Sequence, residues 1–307
     1  MDRYDAVIVG GSFAGLSAAM QLARARRRIL LVDAGRARNR FARTSHGFLG
    51  QDGVPPAAIM REGLTQLSRY PTVDFAHVEA LTASSVEGGV SLALSDGSEV
   101  KARKLILAVG VSDDLPLPSM APRWGVSVLH CPYCHGYEVR DRRLAAIANA
   151  SAAVHQALIL PDWGPTTFFT QGVFEPTAEE AELLSARGVR IERVPVVELI
   201  GEGVEIRALR LADGREVPAE IVFTAPGTRV ASPLAEQLGC DFSDGMTGRH
   251  ITVDAMQQTS VAGVFAAGDA ATAMFNATIA SAAGVMAGVS AHRALVLEDA
   301  AVGTSRP

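Results

Sequence analysis

The stretch DAVIVGGSFAG at residues 5–15, followed by ILLVD at 29–33, decides the fold. DAVIV is a mostly apolar run closed by glycine, the pattern of a buried β-strand. Gly10-Gly11-Ser12-Phe13-Ala14-Gly15 then turns the chain into a helix that runs to about Arg26. Ile29–Val32 reads as a second strand and ends in Asp33, 23 positions after Gly10. Strand, glycine-rich turn, helix, strand, and an acid about 20 residues on make a dinucleotide-binding βαβ unit. Gly10 allows a tight turn, the helix N-terminus aims unpaired N–H groups at a pyrophosphate, and Asp33 can accept from a ribose diol. Ser12 stands where GxGxxG has its second glycine, and it is small enough to leave close approach open. A glycine-rich loop without a ligand is the plain alternative; the order of the five features favours the nucleotide. Arg24–Arg28 closes the helix, where cations suit the C-terminal dipole as a solvated cap.

The rest of the chain sets bounds around this unit. Its 307 residues fit two domains or one large α/β domain. A composition of 48% hydrophobic and 20% charged residues excludes a wholly disordered chain. The formal charge of −5 gives no bulk basic field for nucleic acid. Lysine occurs only at Lys101 and Lys104, so arginine carries nearly all the positive charge. No run of 18 apolar residues exists, so no membrane span is expected. Asp2, Arg3 and Asp5 lead into the first strand without the basic region of a signal peptide, so a cytoplasmic location is expected.

Further along, Arg38-Asn39-Arg40 and Ser45–Gly53 form a glycine-dense loop of the kind that lines a ligand. His46 reads equally as a ligand contact or as a plain loop residue. Residues 73–109 alternate in period two around a turn at Ser95-Asp96-Gly97, which predicts a β-meander ending in Lys104–Val109 and Gly110. Asp113–Pro118, with two prolines, marks a crossing into a second domain. That domain shows strands at Leu144–Ala148, Thr166–Thr170 and Glu220–Thr224, and a helix from about Ala152. TSVAGVFAAGD at 259–269 precedes a long small-residue helix from about Asn276 to Leu297. Ala108-Val109-Gly110 and Ala225-Pro226-Gly227 each end a strand with glycine, which suggests two related halves. The expected class is α/β, with two Rossmann-like three-layer domains, one inserted in the other. The expected boundaries are 1–114, 115–245 and 246–307.

CPYCHG at 131–136 carries the chemistry. Formally it matches c-type haem attachment, but that needs export. A zinc site wants four ligands, and Cys131, Cys134 and His135 supply three at most, so no metal is expected. A redox dithiol fits best: two cysteines at a turn can close a disulfide, the local field lowers a thiol pKa, and His135 can move the proton. A purely structural pair is the remaining alternative. Cys240 reads as a buried lone cysteine.

Together, the GGSxAG turn with Asp33, the CxxC and TSVAGVFAAGD resemble the low-molecular-weight thioredoxin reductase family over essentially the whole chain. The resemblance implies FAD held by the two terminal segments. It assigns cofactor contacts to Gly10, Ser12, Phe13, Ala14, Gly15, Asp33, Asn39, His46, Gly110, Gly268 and Asp269. It places Asn276, Ala277 and Thr278 at a helix start beside the flavin. It also implies a two-fold homodimer, a flavin-facing Cys134 and a substrate-facing Cys131.

Two departures narrow the resemblance. The second, NADPH-binding glycine turn of such reductases is replaced by Ile147–Ala153, which has no glycine. Where they carry arginines for the 2′-phosphate, residues 166–186 have no Lys, Arg or His and include Glu175, Glu179, Glu180 and Glu182. Carboxylates there would repel a phosphate. With CPYCHGYEV and the SHGFLGQDG loop, this is similar to the dithiol oxidases of dithiolopyrrolone and gliotoxin biosynthesis. That likeness implies closure of a disulfide in a small dithiol, with electrons passing through FAD to oxygen and hydrogen peroxide formed. Its catalytic set is Cys131, Cys134 and His135, with His135 as base. Three rivals stay open: an NADPH-dependent reductase, a ferredoxin-linked reductase of a protein disulfide, and a non-catalytic FAD-binding sensor. The tail Asp299–Pro307 is expected to be mobile.

Overall fold

A computed structural model describes residues 3–150 and 153–303. The fold is α/β, and the chain separates into two compact units. The first comprises Met1–Arg40, Ala57–Ser112 and Thr228–Pro307; the second comprises Phe41–Pro56 and Asp113–Gly227.

The first unit is built on a seven-stranded sheet. Val73–Ala76, Ile29–Val32, Tyr4–Val9 and Glu99–Leu107 lie side by side in parallel, and Val264–Ala266 pairs with the last of them. Ala80–Val86 and Gly89–Leu94 add an antiparallel meander. The Glu99–Leu107 strand serves both parts. Its first half pairs antiparallel with Gly89–Leu94, and Leu105–Leu107 pair parallel with Val264–Ala266. Period-two alternation divides the buried residues between two faces. Ala6, Ile8, Leu31, Ile106 and Phe265 pack against helices, while Val7, Val9, Leu30, Leu105 and Val264 pack on the meander side. Full burial of a valine, leucine, isoleucine or phenylalanine side chain such as Val7, Ile8 or Leu105 contributes about 1.5–3 kcal/mol.

The helical layer consists chiefly of Phe13–Arg24 and the terminal helix Ala277–Gly303. Glycine lets the two touch. A Cβ on Gly284 would lie 2.1 Å from the Ala14 carbonyl oxygen, and one on Gly288 would lie 2.6 Å from that of Ala18. Among the described residues, Ala277–Ala301 is the one segment long and apolar enough to cross a membrane. Its glycine contacts make it a core helix of this unit.

The second unit carries a parallel five-stranded sheet in the order Arg190–Glu192, Thr166–Phe169, Leu144–Ile147, Ile221–Thr224, Val128–Leu129. Leu144–Ile147, the helix Ala153–Ile159 and Thr166–Phe169 form a second βαβ unit. A three-stranded antiparallel sheet, Val196–Ile200, Ala208–Leu211 and Glu216–Pro218, completes it.

Three expectations change. Val73–Ala76 is a parallel edge strand, not the start of the meander, because period two is common to both kinds of strand. The return to the first unit falls at Thr228, ahead of 246, because Leu234, Ala235, Cys240 and Ile251 join the core beside Val7 and Leu105. The terminal helix continues through Asp299 to Gly303. Acids near a helix C-terminus oppose the dipole, but here they are held. Arg27 and Arg103 reach Asp299 at 2.8 and 2.7 Å, and Arg103 and Lys104 pair with Glu298. Residues 304–307 of the expected mobile tail lie outside the described residues.

Gly284→Val forces a branched side chain into the Ala14 carbonyl. The expected loss is about 2 kcal/mol or more, read as a fall in Tm by thermal denaturation, with weaker flavin retention.

Candidate active site

Register assembles the nucleotide edge of the first unit. Val9 pairs with Val32 and with Leu107, and Leu107 with Ala266, so the segments that follow all four leave the sheet on one side. Gly10, Asp33, Gly110, Gly268 and Asp269 thereby come together at the carboxyl ends of parallel strands, where open α/β sheets bind ligands.

The turn itself is closed to side chains. Gly10 has φ +107°, and a Cβ there would lie 2.1 Å from the Ala108 carbonyl oxygen. A Cβ on Gly15 would lie 1.7 Å from the Gly10 carbonyl oxygen. Ser12 is the extended N-cap of the first helix, yet its hydroxyl makes no capping bond, and the first turn holds no acid. Ser12 thus supplies no side-chain cap, as suits a helix end that binds an anion. Asp33 accepts the Gly11 N–H at 3.1 Å, so it fixes the turn as well as presenting a carboxylate.

Around this edge, Arg38 donates to Asp269 at 3.1 Å and lies over the Phe275 ring at 4.3 Å. Asn39 Oδ1 is buried without a hydrogen-bond partner, which is costly unless a donor reaches it. Asn276 Oδ1 accepts the N–H of Thr278 at 2.8 Å, so Asn276 is the cap and the helix starts at Ala277. Ala14 and Phe13 act through packing. A Cβ on Gly268 would lie 2.9 Å from that of Ala14, and Phe13 packs on the core. Gly110, at φ +66°, accepts the Ala231 N–H at 3.0 Å. A closed cradle, a helix end whose N-cap serine makes no capping bond, and an unpartnered buried acceptor fit FAD. Arg38 was not legible as the partner of Asp269 and Phe275; the only signal was the run Arg38-Asn39-Arg40.

The cysteine pair belongs to the second unit, just after the Val128–Leu129 strand. Cys131 and Cys134 form a disulfide, with Cα atoms 5.3 Å apart. Cys131 caps the short helix Pro132–His135, and its Sγ accepts the Cys134 N–H at 3.2 Å. Pro132 presets the first helical φ. Gly136 is required: a Cβ there would lie 2.6 Å from the Pro132 carbonyl oxygen and 2.7 Å from the Trp163 ring. Trp163 meets Tyr133 edge-on at 5.8 Å. Tyr133 and Tyr137 are exposed, so aromatic surface flanks the disulfide turn.

Beside the pair, His135 is half-buried. Burial pushes its pKa below the ordinary histidine value; the Glu138 carboxylate opposes this and His46 adds to it. His46, which the resemblance gives to the cofactor, belongs to the same compact unit as the cysteine pair. Its Nε2 lies 2.9 Å from Thr44 Oγ1, and its Nδ1 lies 3.5 Å from both Glu138 and Asp52. Among the described residues, no group of three or more His, Cys, Asp or Glu is placed to hold a metal ion.

The second βαβ turn carries no glycine at 147–150, and Ser151 and Ala152 of that motif lie outside the described residues. Asn149 Nδ2 donates to the Ala225 carbonyl, tying the ends of two strands. Arg193 holds Glu175 through two N–H groups at 2.6 and 2.9 Å, and Arg215 pairs with Glu192 at 2.9 Å. Glu180 is spent in a capping box with Thr177.

The pyridine nucleotide-disulphide oxidoreductase family matches residues 4–155 and 167–284. Thioredoxin reductase tcpT of Claviceps purpurea is 32% identical over 96% of this chain and 95% of its own length. Thioredoxin reductase sirT of Leptosphaeria maculans is 31% identical over 93% and 92%. Among solved structures, the oxidoreductase from Agrobacterium tumefaciens matches with a TM-score of 0.92 at 45% identity, covering 96% of this chain and 99% of that one. The crystal structure of HlmI matches at 0.89 and 34% identity, covering 99% and 96%.

Asp33→Ala removes the acceptor that fixes Gly11. Flavin affinity is expected to fall about tenfold, the worth of one hydrogen bond to a charged group, measured as the dissociation constant by fluorescence on FAD titration.

Proposed function

The chain belongs to the pyridine nucleotide-disulphide oxidoreductase family, and on that footing we propose that it oxidises a small dithiol to a cyclic disulfide. As a thioredoxin reductase-like flavoprotein it binds FAD. The observation that carries the oxidase reading is the second βαβ turn. It lacks glycine at 147–150, it is bridged by Asn149, and Arg193 and Arg215 nearby are committed to carboxylates. Those features leave little to bind the phosphates of NADPH. The family name itself favours a second reading, an NADPH-dependent disulfide reductase, and one titration separates the two.

The chain's own residues account for the exchange steps. A substrate thiolate attacks Sγ of Cys131; the Cys131–Cys134 bond breaks, a mixed disulfide forms, and Cys134 leaves as a thiolate. The second substrate thiol, deprotonated, attacks its partner sulfur; the cyclic disulfide leaves, and Cys131 is released as a thiolate. The Cys134 N–H, 3.2 Å from Cys131 Sγ, supports that thiolate. His135 takes the thiol proton, and its lowered pKa keeps the ring neutral and able to accept. Bound FAD supplies a two-electron acceptor that returns the pair to the disulfide, with oxygen as the final acceptor and hydrogen peroxide as product.

The setting follows from the reading. A disulfide that opens and closes in turnover suits the cytoplasm. The terminal helix exposes Ile279, Met286, Val289 and Val296 at helical spacing, an apolar stripe that supports a two-fold homodimer.

Anaerobic titration is the deciding experiment. A small dithiol should bleach the flavin, admitted air should restore it, and stoichiometric NADPH should not bleach it. Bleaching by NADPH makes the protein a reductase. Cys131→Ser and Cys134→Ser should each retain FAD and lose dithiol-driven bleaching by at least about 10³-fold, as expected for loss of a covalent nucleophile.

The pH dependence follows from the sign of the His135 shift. The neutral ring is the base, so the rate rises with pH through the His135 pKa. Because that pKa is depressed, the acid limb should lie below the ordinary histidine value. His135→Ala should slow dithiol-driven bleaching about 10²-fold and remove this limb, read from stopped-flow rates across pH.

A further inference from the structure

We infer that Gln156 is a positioning residue for the cysteine pair: it anchors the backbone ahead of Cys131 and so favours the closed Cys131–Cys134 disulfide over the open dithiol. This rests on the reading of the pair as the exchange site.

One stretch of chain holds the cysteine turn at both ends. The helix Ala153–Ile159 and the single turn Leu160–Asp162 lead to Trp163. At the near end, Gln156 Nε2 donates to the carbonyl of His130, the residue before Cys131, at 2.8 Å. At the far end, the Trp163 carbonyl accepts the Asp141 N–H at 2.6 Å, and the Trp163 ring leaves no room for a side chain on Gly136. Leu129 and Val139, on either side of the turn, share one core with Ala153, Val154 and Ala157 of the helix. All of these residues belong to the second unit.

An amide is a costly choice at position 156. Gln156 is 7% exposed, and its Oε1 is buried without a hydrogen-bond partner among the described residues. A leucine of similar volume would fill the space without stranding an acceptor. The bond to His130 offsets that cost, and its sense is forced, because a carbonyl can only accept. It fixes a main-chain atom, so it acts on the turn and through the turn on Cys131. Reduction puts two electrons and two protons on the pair and breaks the S–S bond; closure returns both to the oxidant. Closure is intramolecular, and one thiol's effective concentration at the other rises as the backbone between and beside them loses freedom. Once the S–S bond is open, the Gln156 anchor and the Trp163 contacts are what keep Cys131 within reach of Cys134.

The test equilibrates the FAD-bound protein anaerobically with dithiothreitol redox buffers and traps free thiols with a maleimide. The peptide of residues 124–140, which carries Cys131 and Cys134 but not Cys240, is then weighed by mass spectrometry. Gln156→Leu should lower the closure constant about three- to tenfold, the worth of one hydrogen bond made in the closed state. Gln156→Glu is the second variant and carries the test alone should Gln156→Leu fail to fold. Burial raises a carboxyl pKa. The protonated acid can donate to the His130 carbonyl, and the carboxylate cannot. Relative to the native protein at the same pH, its closure constant should be near native at about pH 5.5 and fall about threefold or more by about pH 8.5. A side chain that only fills space gives no such pH dependence. A Gln156→Leu constant equal to the native one, or a Gln156→Glu ratio flat with pH, would overturn this inference alone. A native pair that stays closed at every buffer setting would overturn the exchange reading and this inference with it. No dithiol substrate or oxygen enters the measurement, so the two failures are told apart.

Discussion

The first unit depends on a close approach that only glycine permits. The carbonyl of Gly10 and the α-carbon of Gly15 leave no room for a side chain between them. That contact draws the first helix hard against the end of its strand and aims its N–H groups along the nucleotide edge. The same helix accepts Gly284 and Gly288 of the terminal helix against its backbone. Ala14 is engaged on both sides: its carbonyl meets Gly284, and its methyl borders Gly268. The cradle and the helical layer are therefore one packing problem. A change on the terminal helix reaches the cofactor edge without touching it, because interiors at this density transmit strain.

What was legible in the sequence is what is local. The βαβ unit is read from one continuous stretch, since its turn, helix and acid are fixed by chain geometry. The cysteine turn is equally local: Pro132 presets the helix, and Cys131 caps it. The hidden part is long-range. His46 and Glu138 lie in separate segments and meet only once the fold brings the 41–56 loop beside the cysteine turn. Arg38 meets Asp269 across most of the chain. The terminal helix outruns its sequence reading because Glu298 and Asp299 look like a charged exit, while Arg27, Arg103 and Lys104 hold them in place.

The second unit has the shape of a nucleotide-type half, and the proposed function turns on how its turn is occupied. Its strands, crossover helix and register still make a nucleotide-type half. At its strand ends the Asn149 amide bridges to Ala225, and the Arg193 and Arg215 guanidinium groups are paired with carboxylates. These pairs are solvent-exposed and add little stability. Their effect is on selectivity, since an arginine already engaged is a poor partner for an incoming anion.

The strand Glu99–Leu107 has a consequence for the order in which the protein is made. Its first half is satisfied at once by Gly89–Leu94, synthesised just before it. Its second half waits for Val264–Ala266, which the ribosome delivers only after the whole of residues 113–227. During that interval the inserted unit has every strand of its sheet, whereas the first unit shows an open parallel edge of buried-type residues. Such edges invite mispairing. The nucleotide edge therefore closes last on the nascent chain, and the cysteine turn is in place before the cofactor has anywhere to sit.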